Sequence, residues 1–408
     1  MIRLILLALT GACLAGPAFA QPDLFSPSTI GGVVNGRAVS GDAEKSWTDG
    51  GFGKSRFGDR SDGLIDGVVQ WRPRLGWSLS GVVDVVGQPD LIKKLDVNEA
   101  YLLFKPLGSG GTRWQARLGL LYPPVSLEHD GRAWTTTRTI TPSAINSWIG
   151  EEVYGAGLEV AVRRTFGEQE LGLTVGVFDK NDTAGTLLTF RGWSLNDARA
   201  TLKGKYELPP LSAFPASLQD EDTYPAWELD DRFGYYVRAD WKPPQAFSVN
   251  AIYYDNLGDK TSVDPELQWS WYTRFTNVGI TWQPAENTEV LAQAMKGVTA
   301  MGYTSPFGRW FDTRFEAAYV LATQTFGANA VSGRLDYFRN SDRANGFYGD
   351  TSEHGWAGTL DYVRTFSPQA KLYLEALRID SERPSRVLAG DAPRQHETVL
   401  QAMTRFSF

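Results

Sequence analysis

The sequence predicts an all-β fold, a transmembrane antiparallel β-barrel of about 16 strands. Three observations predict it: a composition rich in glycine and aromatic residues, apolar residues at every second position, and a Trp or Phe beside nearly every short turn. A soluble β-sandwich also has alternating strands, but it has no reason to mark one end of each hairpin with an aromatic ring. A membrane–water interface favours such amphipathic rings.

The composition excludes several other classes of protein. The 408 residues include 42 Gly, 14 Trp, 16 Tyr, 21 Phe and one Cys, and the mean hydropathy is −0.27. After the first 20 residues, no apolar stretch reaches the roughly 18–20 residues that a membrane helix needs. One cysteine excludes a disulfide scaffold, and the aromatic content argues against disorder. A net charge of −7 argues against a nucleic-acid partner.

Residues 1–20 have the pattern of a signal peptide. Arg3 is followed by an apolar run at 4–9, and Ala18-Phe19-Ala20 is a small-x-small cleavage site. A lipoprotein is the alternative, but Thr10 lies where the signal before Cys13 requires an apolar residue. We therefore expect export, removal of 1–20, and a mature barrel domain at 21–408 surrounded by the lipid of a Gram-negative outer membrane.

A short aromatic turn motif repeats along the chain. An aromatic residue is followed two positions later by Pro at Trp71, Phe104, Trp241, Trp282 and Phe366, and directly by Gly at Phe166 and Phe326. In the second half, the aromatics at 241, 282, 326, 366 and 408 are separated by 41, 44, 40 and 42 residues. Each interval holds two strands of about ten residues, one long loop and one short turn, which is a barrel hairpin.

Period-2 alternation places the strands between these turns. They are predicted at 29–38, 62–71, 75–86, 95–105, 113–122, 151–166, 169–178, 232–241, 246–256, 273–282, 287–298, 311–325, 329–339, 355–365, 370–379 and 397–408. These sixteen segments leave seven short turns and eight longer outer loops. The barrel must close because an open edge would leave backbone groups unpaired in hydrocarbon. A barrel of this size leaves a water-filled lumen.

The faces opposite the apolar stripes predict a charged lumen. Pore-lining candidates are Arg113, Arg117, Arg163, Arg238, Arg314 and Arg334, joined on the same faces by Arg37, Arg232 and Arg405 and by Asp66, Asp84, Glu159, Asp240, Asp312, Glu316 and Asp336. Nine arginines against seven acids predict weak selectivity that leans towards anions. The alternative is that each arginine only pairs with a wall neighbour, as Arg238 would with Asp240.

Two outer loops are candidates for narrowing the lumen. The loop at 123–150 contains Glu128 and Asp130, which would face wall arginines across a constriction if the loop folds inwards. The alternative is a surface loop at a subunit contact. The longest loop, at 179–231, would either gate the mouth or line a vestibule; its sequence does not distinguish the two.

Some segments resemble a known family. The stretch Asn98-Glu99-Ala100-Tyr101-Leu102, the run from Leu118 to Glu128, and Gly172-Leu173-Thr174-Val175-Gly176-Val177-Phe178 resemble the phosphate-selective porin O/P-like family. The resemblance implies a sixteen-stranded homotrimeric porin with an infolded third loop. It does not imply phosphate selectivity, because the loop at 257–272 offers only Lys260 where selective members carry a lysine cluster.

The expected function is therefore passive diffusion of small polar solutes or anions through an outer-membrane channel, without a cofactor, a metal or a catalytic step. One alternative is a plugged structural or adhesive barrel. Another is an outer-membrane hydrolase that uses His129 or His354, since both histidines adjoin an acid in predicted outer loops. A Ser-His-acid site would need a serine positioned beside one of them.

Overall fold

The computed structural model describes residues 23–306, 308–344 and 349–408. The predicted signal peptide at 1–20 lies outside these residues, so its removal stays a prediction. Sixteen antiparallel strands form one closed barrel in which neighbours in sequence are neighbours in space. The first strand pairs with the last, for example Val34 with Phe406. The predicted all-β barrel and its number of strands are confirmed.

The barrel strands are numbered here in chain order. They are β1 Ile30–Asp42, β2 Ser61–Trp71, β3 Leu79–Gly87, β4 Leu95–Phe104, β5 Thr112–Leu121, β6 Gly155–Phe166, β7 Gln169–Asp179, β8 Gly234–Lys242, β9 Phe247–Asp255, β10 Tyr272–Ala285, β11 Thr288–Ser305, β12 Gly308–Phe326, β13 Asn329–Asp342, β14 Glu353–Thr365, β15 Ala370–Glu382 and β16 Arg394–Ser407. Every predicted strand overlaps one of these. The seven short connections lie at one end, called the turn end, and the eight other connections lie at the loop end.

In the described part of the chain, helical segments lie outside the barrel strands, in the connections and in the segment before β1. The α-helices are α1 Ala144–Glu152, α2 Thr186–Phe190 and α3 Ala213–Ala216, and the 3-10 turns are Pro27–Thr29, Trp47–Asp49 and Pro384–Ala389. Helix α1 begins because the Ser143 hydroxyl accepts a hydrogen bond from the Asn146 amide at 3.3 Å. No helix among the described residues is long and apolar enough to cross a membrane. Two residue pairs, Tyr206–Glu207 and Asp222–Thr223, form a small separate ladder.

Several element boundaries differ from the prediction, among them those of β6, β11 and β12. The segment predicted as a strand from 151 begins in α1, and β6 starts only at Gly155. Strands β11 and β12 also continue beyond their predicted outer ends, pairing as far as Ser305 and Gly308. The connection between these two strands is therefore two residues, 306–307, and not a long loop.

The outer wall carries the predicted aromatic girdle at the turn end. Trp241, Trp282, Phe326 and Phe366 end or follow their strands and remain 42, 48, 48 and 66 % exposed. Apolar residues such as Leu335 lie above them on the same outward face and are likewise exposed. This is the arrangement of a wall that faces hydrocarbon between two interfaces.

The inside of the barrel is packed with chain towards the loop end. Trp148 of α1 contacts Phe275 of β10 and Phe315 of β12, with ring centroids 5.5 and 5.0 Å apart. Trp193, from the connection 180–233, lies 6.0 Å from Trp148. All four side chains are at most 1 % exposed. Loop residues thus form a hydrophobic core with the lumen wall.

This core corrects one predicted face. Arg314 and Glu316 were predicted to line the lumen, which would place the other face of β12, with Phe315, Ala317, Tyr319 and Leu321, on the lipid side. Phe315, however, contacts Trp148 inside the barrel. Arg314 and Glu316 therefore lie on the outer face, and Arg314 does not line the lumen. The physical reason is that alternation separates two faces, while an apolar stripe packs equally well against lipid or against an apolar plug.

Candidate pore and its closure

The connection 122–154, called the crossing loop, passes through the lumen from β5 to the opposite wall. The Ile140 amide donates to the Glu375 carboxylate of β15 at 2.8 Å. The Ala144 amide donates to Asp336 of β13 at 3.1 Å, and Arg405 of β16 donates to the Thr136 carbonyl. The loop segment 123–150 thus lies inside the barrel, as expected of a constriction, and not on the surface.

Glu128 fastens the crossing loop to itself and to the wall. Its carboxylate accepts hydrogen bonds from the Ser143 amide at 2.9 Å and from the Asn146 side chain at 2.5 Å, at the start of α1. It also pairs with Arg334 at 3.1 Å and is 2 % exposed. An acid at a helix N-terminus is favourable because the free amides and the helix dipole are positive there. Glu128 therefore does not face an arginine across an opening, as the constriction model expected.

Arg334 is the wall side of this attachment. Its guanidinium pairs with Asp336 at 2.7 Å and donates to the carbonyls of Thr141 and Pro142 at 2.6 and 3.0 Å. The side chain is completely buried. A buried guanidinium is tolerated only when its donors have partners, and the crossing loop supplies several of them.

Asp130, the other predicted acid of this loop, is placed differently. Its side chain is 44 % exposed and pairs with Arg138 of the same loop at 2.8 Å. Arg138 also pairs with Glu289 on the wall. Asp130 therefore lies in a charged, water-accessible cluster on the turn-end side of the loop.

Below the crossing loop, towards the turn end, the lumen is an exposed vestibule. The side chains of Arg113 and Arg163 are 64 and 53 % exposed, while that of Glu170, which pairs with Arg113, is 23 % exposed. Arg238 pairs with Asp240 at 2.6 Å and also donates to the Pro124 carbonyl at the start of the loop. The structure thus brings three predicted pore arginines together in this vestibule.

Arg117 marks a narrower extension of the vestibule. Its guanidinium binds both carboxylate oxygens of Glu159, at 2.8 and 2.7 Å. A cavity of about 280 Å³ runs between the crossing loop and β2–β5. Its polar wall residues are Gln70, Arg72, Asp84, Glu99, Tyr101 and Arg117, and the loop contributes Tyr122, Ser126 and His129.

A hydrogen-bonded layer joins the two lumen loops at Tyr122, which lines this cavity. The Tyr122 hydroxyl lies 3.0 Å from the Gly150 carbonyl and 3.1 Å from the Ala200 carbonyl. Asn98 of β4 donates to the Tyr122 hydroxyl at 3.0 Å and to the Ala200 carbonyl at 2.8 Å. All contacts of this layer are buried, so the layer separates the cavity from the packed part of the lumen.

The connection 180–233, called the mouth loop, fills the lumen above the crossing loop. Asp197 pairs with Arg37 of the wall and, at 2.8 Å, with Arg56 of the connection 43–60. Burial alone would raise the pKa of Asp197, but the two guanidinium groups outweigh it and hold the pKa well below its usual range. The Trp193 amide donates to Glu353 at 2.8 Å. The mouth loop therefore closes the lumen in this structure.

Burial shifts the pKa values of Glu152 and His129 in the crossing loop. Burial raises the pKa of Glu152 to about 7, although Trp148 and the Leu187 amide donate to its carboxylate at 2.6 and 2.7 Å. Burial, and then the charge of Arg199, lowers the pKa of His129 to about 3. The neutral imidazole stacks on the Trp134 ring, with the ring centroids 3.6 Å apart, and its Nδ1 is hydrogen-bonded to the Ser126 hydroxyl at 2.8 Å.

The three histidines do not form a common site. His129 lies in the lumen, whereas His354 and His396 lie on the outer faces of β14 and β16. His396 pairs with Asp380 at 2.9 Å on that outer face. The hydrolase alternative requires a serine beside a histidine, and Ser126 lies 2.8 Å from His129. The Ser126 hydroxyl also accepts hydrogen bonds from the Glu128 and His129 amides, however, and the lowered pKa of His129 makes its imidazole a poor general base. These two observations argue against this alternative.

One acidic group in the described residues has the spacing of metal ligands. A carboxylate oxygen from each of Asp182, Glu228 and Asp230, around the mouth loop, lies within 4.8 Å of the others. These carboxylates already accept backbone hydrogen bonds, for example from the Leu229 amide to Asp182 at 2.6 Å. Burial and the neighbouring acids raise the pKa of Asp182 to about 8.

Comparison with solved structures relates the fold to outer-membrane channels. The chain superimposes on a loop-deletion mutant of the Vibrio cholerae outer membrane protein OmpT with a TM-score of 0.54 and 9 % identity, covering 93 % of this chain and 99 % of that one. The Acinetobacter baumannii outer membrane channel DcaP superimposes with a TM-score of 0.52 and 13 % identity, covering 95 % of this chain and 99 % of that one. The anion-selective porin from Comamonas acidovorans superimposes with a TM-score of 0.50 and 11 % identity, covering 95 % of this chain and 100 % of that one. No protein-family profile and no curated protein sequence matches the chain.

The chain has the fold of outer-membrane porins. At these identities the likeness concerns the fold alone. The sequence reasoning missed Asn98, Tyr122 and Trp148, which close the lumen. One signal was available for α1: Pro142-Ser143 is a helix start, since Ser is a favoured N-cap residue.

Proposed function

We propose that this protein is an outer-membrane porin through which small hydrophilic solutes or ions diffuse passively. The observation that carries the proposal is the crossing loop, which spans the lumen above a water-exposed, charged vestibule. A loop across a barrel lumen narrows the path and places charged groups where a solute must pass. No catalytic step or cofactor enters this proposal.

The proposed path runs from the vestibule past Arg117 into the cavity beside Tyr122. Passage beyond this point requires that the hydrogen bonds between Tyr122, Asn98 and the Ala200 carbonyl open. We propose that the mouth loop moves locally around Ala200, while the strands and Asp197, which is held by Arg37 and Arg56, stay in place. The channel would then conduct in short openings.

We further propose a weak preference for anions. In the vestibule, the side chains of Arg113 and Arg163 are more than half exposed, while those of Glu170 and Asp240 are each 23 % exposed. Water-exposed guanidinium groups attract anions and can coordinate them through their planar forks. The resemblance to the phosphate-selective O/P-like porins adds phosphate compounds to the candidate solutes.

Location and assembly complete the proposal. Export would remove residues 1–20, and the mature chain would insert into a Gram-negative outer membrane with its turn end towards the periplasm. Following the same resemblance, we propose a homotrimer. Sedimentation of the detergent-purified mature protein tests this, and a monomeric mass would contradict it.

Planar-bilayer recording of the mature protein tests the channel. We expect stepwise conductance and, across a KCl gradient, a zero-current potential that indicates a slight anion preference. Silence from protein that is folded by circular dichroism would contradict the proposal. Strong cation preference would contradict the role given to Arg113 and Arg163.

A second candidate is a permanently plugged structural or adhesive barrel. The packed core around Trp148 and Trp193 favours it, because such a core resists displacement. This candidate predicts no conductance, even from a variant in which the mouth loop is shortened. The porin proposal predicts that the same shortening increases the open time.

A further inference from the structure

The outer wall carries a cluster of cations near the loop end of β10–β13, here called the basic patch. It consists of Arg274, Lys296, Arg314 and Arg339, with Glu316 among them. Lys296 is directly opposite Glu316, which is opposite Arg339, while Arg274 and Arg314 are both opposite Val298. Directly opposite side chains on one face lie about 5 Å apart. Asp255 of β9 is a second carboxylate, directly opposite Arg274. Four cations against two carboxylates leave a net charge of +2.

The basic patch surrounds a depression in the wall. A cavity of about 450 Å³ is lined by the side chains of Arg274, Lys296, Arg314 and Glu316, with Tyr253 at its edge. Arg274 also lies over the ring of Tyr272, with 5.4 Å from the guanidinium carbon to the ring centre. The depression is large enough for a phosphate group together with the sugar or glycerol that carries it.

The cations of the patch are largely without ion-pair partners. Among residues 23–306, 308–344 and 349–408, no ion pair involves Lys296, Arg314 or Arg339. Within the described part of the chain, the one hydrogen bond to Glu316 comes from the Tyr337 hydroxyl, at 3.4 Å. Elsewhere on the outer wall, by contrast, Arg394 and His396 share Asp380. The basic patch therefore offers free positive charge.

The height of the patch corresponds to a membrane interface. Glu316 is ten residues from Phe326, the aromatic residue at the turn end of the same strand. That distance is about 33 Å along a strand, or about 25 Å in height at a tilt of about 40°. An apolar band of an outer-membrane barrel is about 25 Å tall. The patch thus lies at the upper edge of this band, where the headgroups of the outer leaflet begin.

We infer that the basic patch binds a phosphate group of a lipid headgroup in the outer leaflet. Cations at mid-membrane are costly, but at the interface their cost is small and a phosphate can satisfy them. Two arginine forks suit phosphate oxygens and a lysine adds a point charge. The wall below, with Val320 and Leu335 about 53 and 69 % exposed, is an apolar surface for the acyl chains. This site is independent of the proposed lumen path.

Native mass spectrometry of the detergent-purified mature protein tests the inference. The probes are diphosphorylated lipid A and, for comparison, a zwitterionic phosphatidylcholine. We expect the variant Lys296→Gln/Arg314→Gln to bind lipid A at least about tenfold more weakly, since charged hydrogen bonds are lost, with phosphatidylcholine binding unchanged. Arg314→Lys should keep most of the affinity.

The matched control is Arg164→Gln/Arg378→Gln, which removes two outward cations outside the patch. This control should bind lipid A like the wild type. An equal loss of affinity in both double variants would show that only net charge matters and would overturn the inference. Displacement of lipid A by millimolar inorganic phosphate would identify a soluble anion as the ligand and overturn the lipid assignment. Circular dichroism verifies that each variant is folded, and conductance separates this result from the porin proposal.

Discussion

Replacing Glu128 by Ala should release the crossing loop from the barrel wall. The carboxylate accepts hydrogen bonds from Ser143 and Asn146 at the start of α1 and pairs with Arg334 of the barrel wall. Its removal takes the acceptor from the Ser143 amide, the Ser143 hydroxyl and the Asn146 side chain, and it takes one acidic partner from a completely buried guanidinium. The strands do not depend on this side chain, so the barrel itself should fold.

The size of the effect follows from these contacts. Breaking a buried ion pair by removing one partner costs about 3–5 kcal/mol. The Ser143 and Asn146 bonds share the same carboxylate, so they are included in that figure and not added to it. Asp336 continues to pair with Arg334 at 2.7 Å, so we expect a cost at the lower end of that range. If the free energy that favours the attached loop over the released loop falls by about 3–4 kcal/mol, the released fraction rises roughly 10²–10³-fold.

Hydrogen exchange and conductance measure this release directly. We expect the amides of Ile140, Ala144 and Asn146 to exchange about 10²–10³ times faster in Glu128→Ala than in the wild type. Single-channel recording should show longer or larger openings. Glu128→Gln, which retains one oxygen acceptor, should give a smaller effect.

Asp130→Asn is the control in the same loop. Asp130 is largely solvated, so its pair with Arg138 contributes at most about 1 kcal/mol, and exchange at Ile140 should change little. Unchanged exchange and unchanged openings in folded Glu128→Ala would refute the reasoning, because the loop would then be held by other contacts. Equal effects of Glu128→Ala and Asp130→Asn would refute it as well.

Three further predictions concern the lumen. Because burial favours neutral Glu152 and raises its pKa to about 7, the stability that this group gives the loop is present below its ordinary pKa of about 4.5 and is lost as pH rises through about 7. The protection of the α1 amides, measured relative to the intrinsic exchange rate at each pH, should therefore fall between about pH 5 and pH 9. Glu152→Gln should remove that fall, and a wild-type protection factor that does not change with pH would contradict this prediction. Arg113→Gln/Arg163→Gln should shift the zero-current potential towards cations, whereas Glu170→Gln should shift it towards anions; no shift in either would place the vestibule outside the path. Asn98→Ala removes the donor to the Ala200 carbonyl and should increase open probability several-fold, since one such buried bond contributes about 1 kcal/mol, with Asn35→Ala on β1 as the matched wall control.

The strands were predictable because their signal is local. Alternation places side chains on two faces whatever the rest of the chain does, and aromatic residues beside Pro or Gly mark the turn end at Trp241 and Trp282. The short turn motif also determines the up-and-down order of neighbouring strands. For this reason all sixteen strands were placed, with errors mainly at their loop ends.

The candidate site was predictable only in part. Arg113, Arg163 and Arg238 face the lumen as expected, because their strands have polar inner faces. Arg314 does not, because β12 packs apolar side chains against Trp148 inside the barrel. Glu128 was assigned to the correct loop but to the wrong role, since its partner Arg334 is 206 residues away in the chain.

By itself, the sequence determines a closed barrel of sixteen strands, with its aromatic girdle and an export-type leader pattern. These properties depend on spacing between near neighbours, which a linear chain displays. Only the tertiary structure decided which apolar faces meet lipid and which meet the plug, and how far the loops fill the lumen. The physical reason is that such contacts join side chains distant in sequence, where burial depends on what packs opposite and not on periodicity.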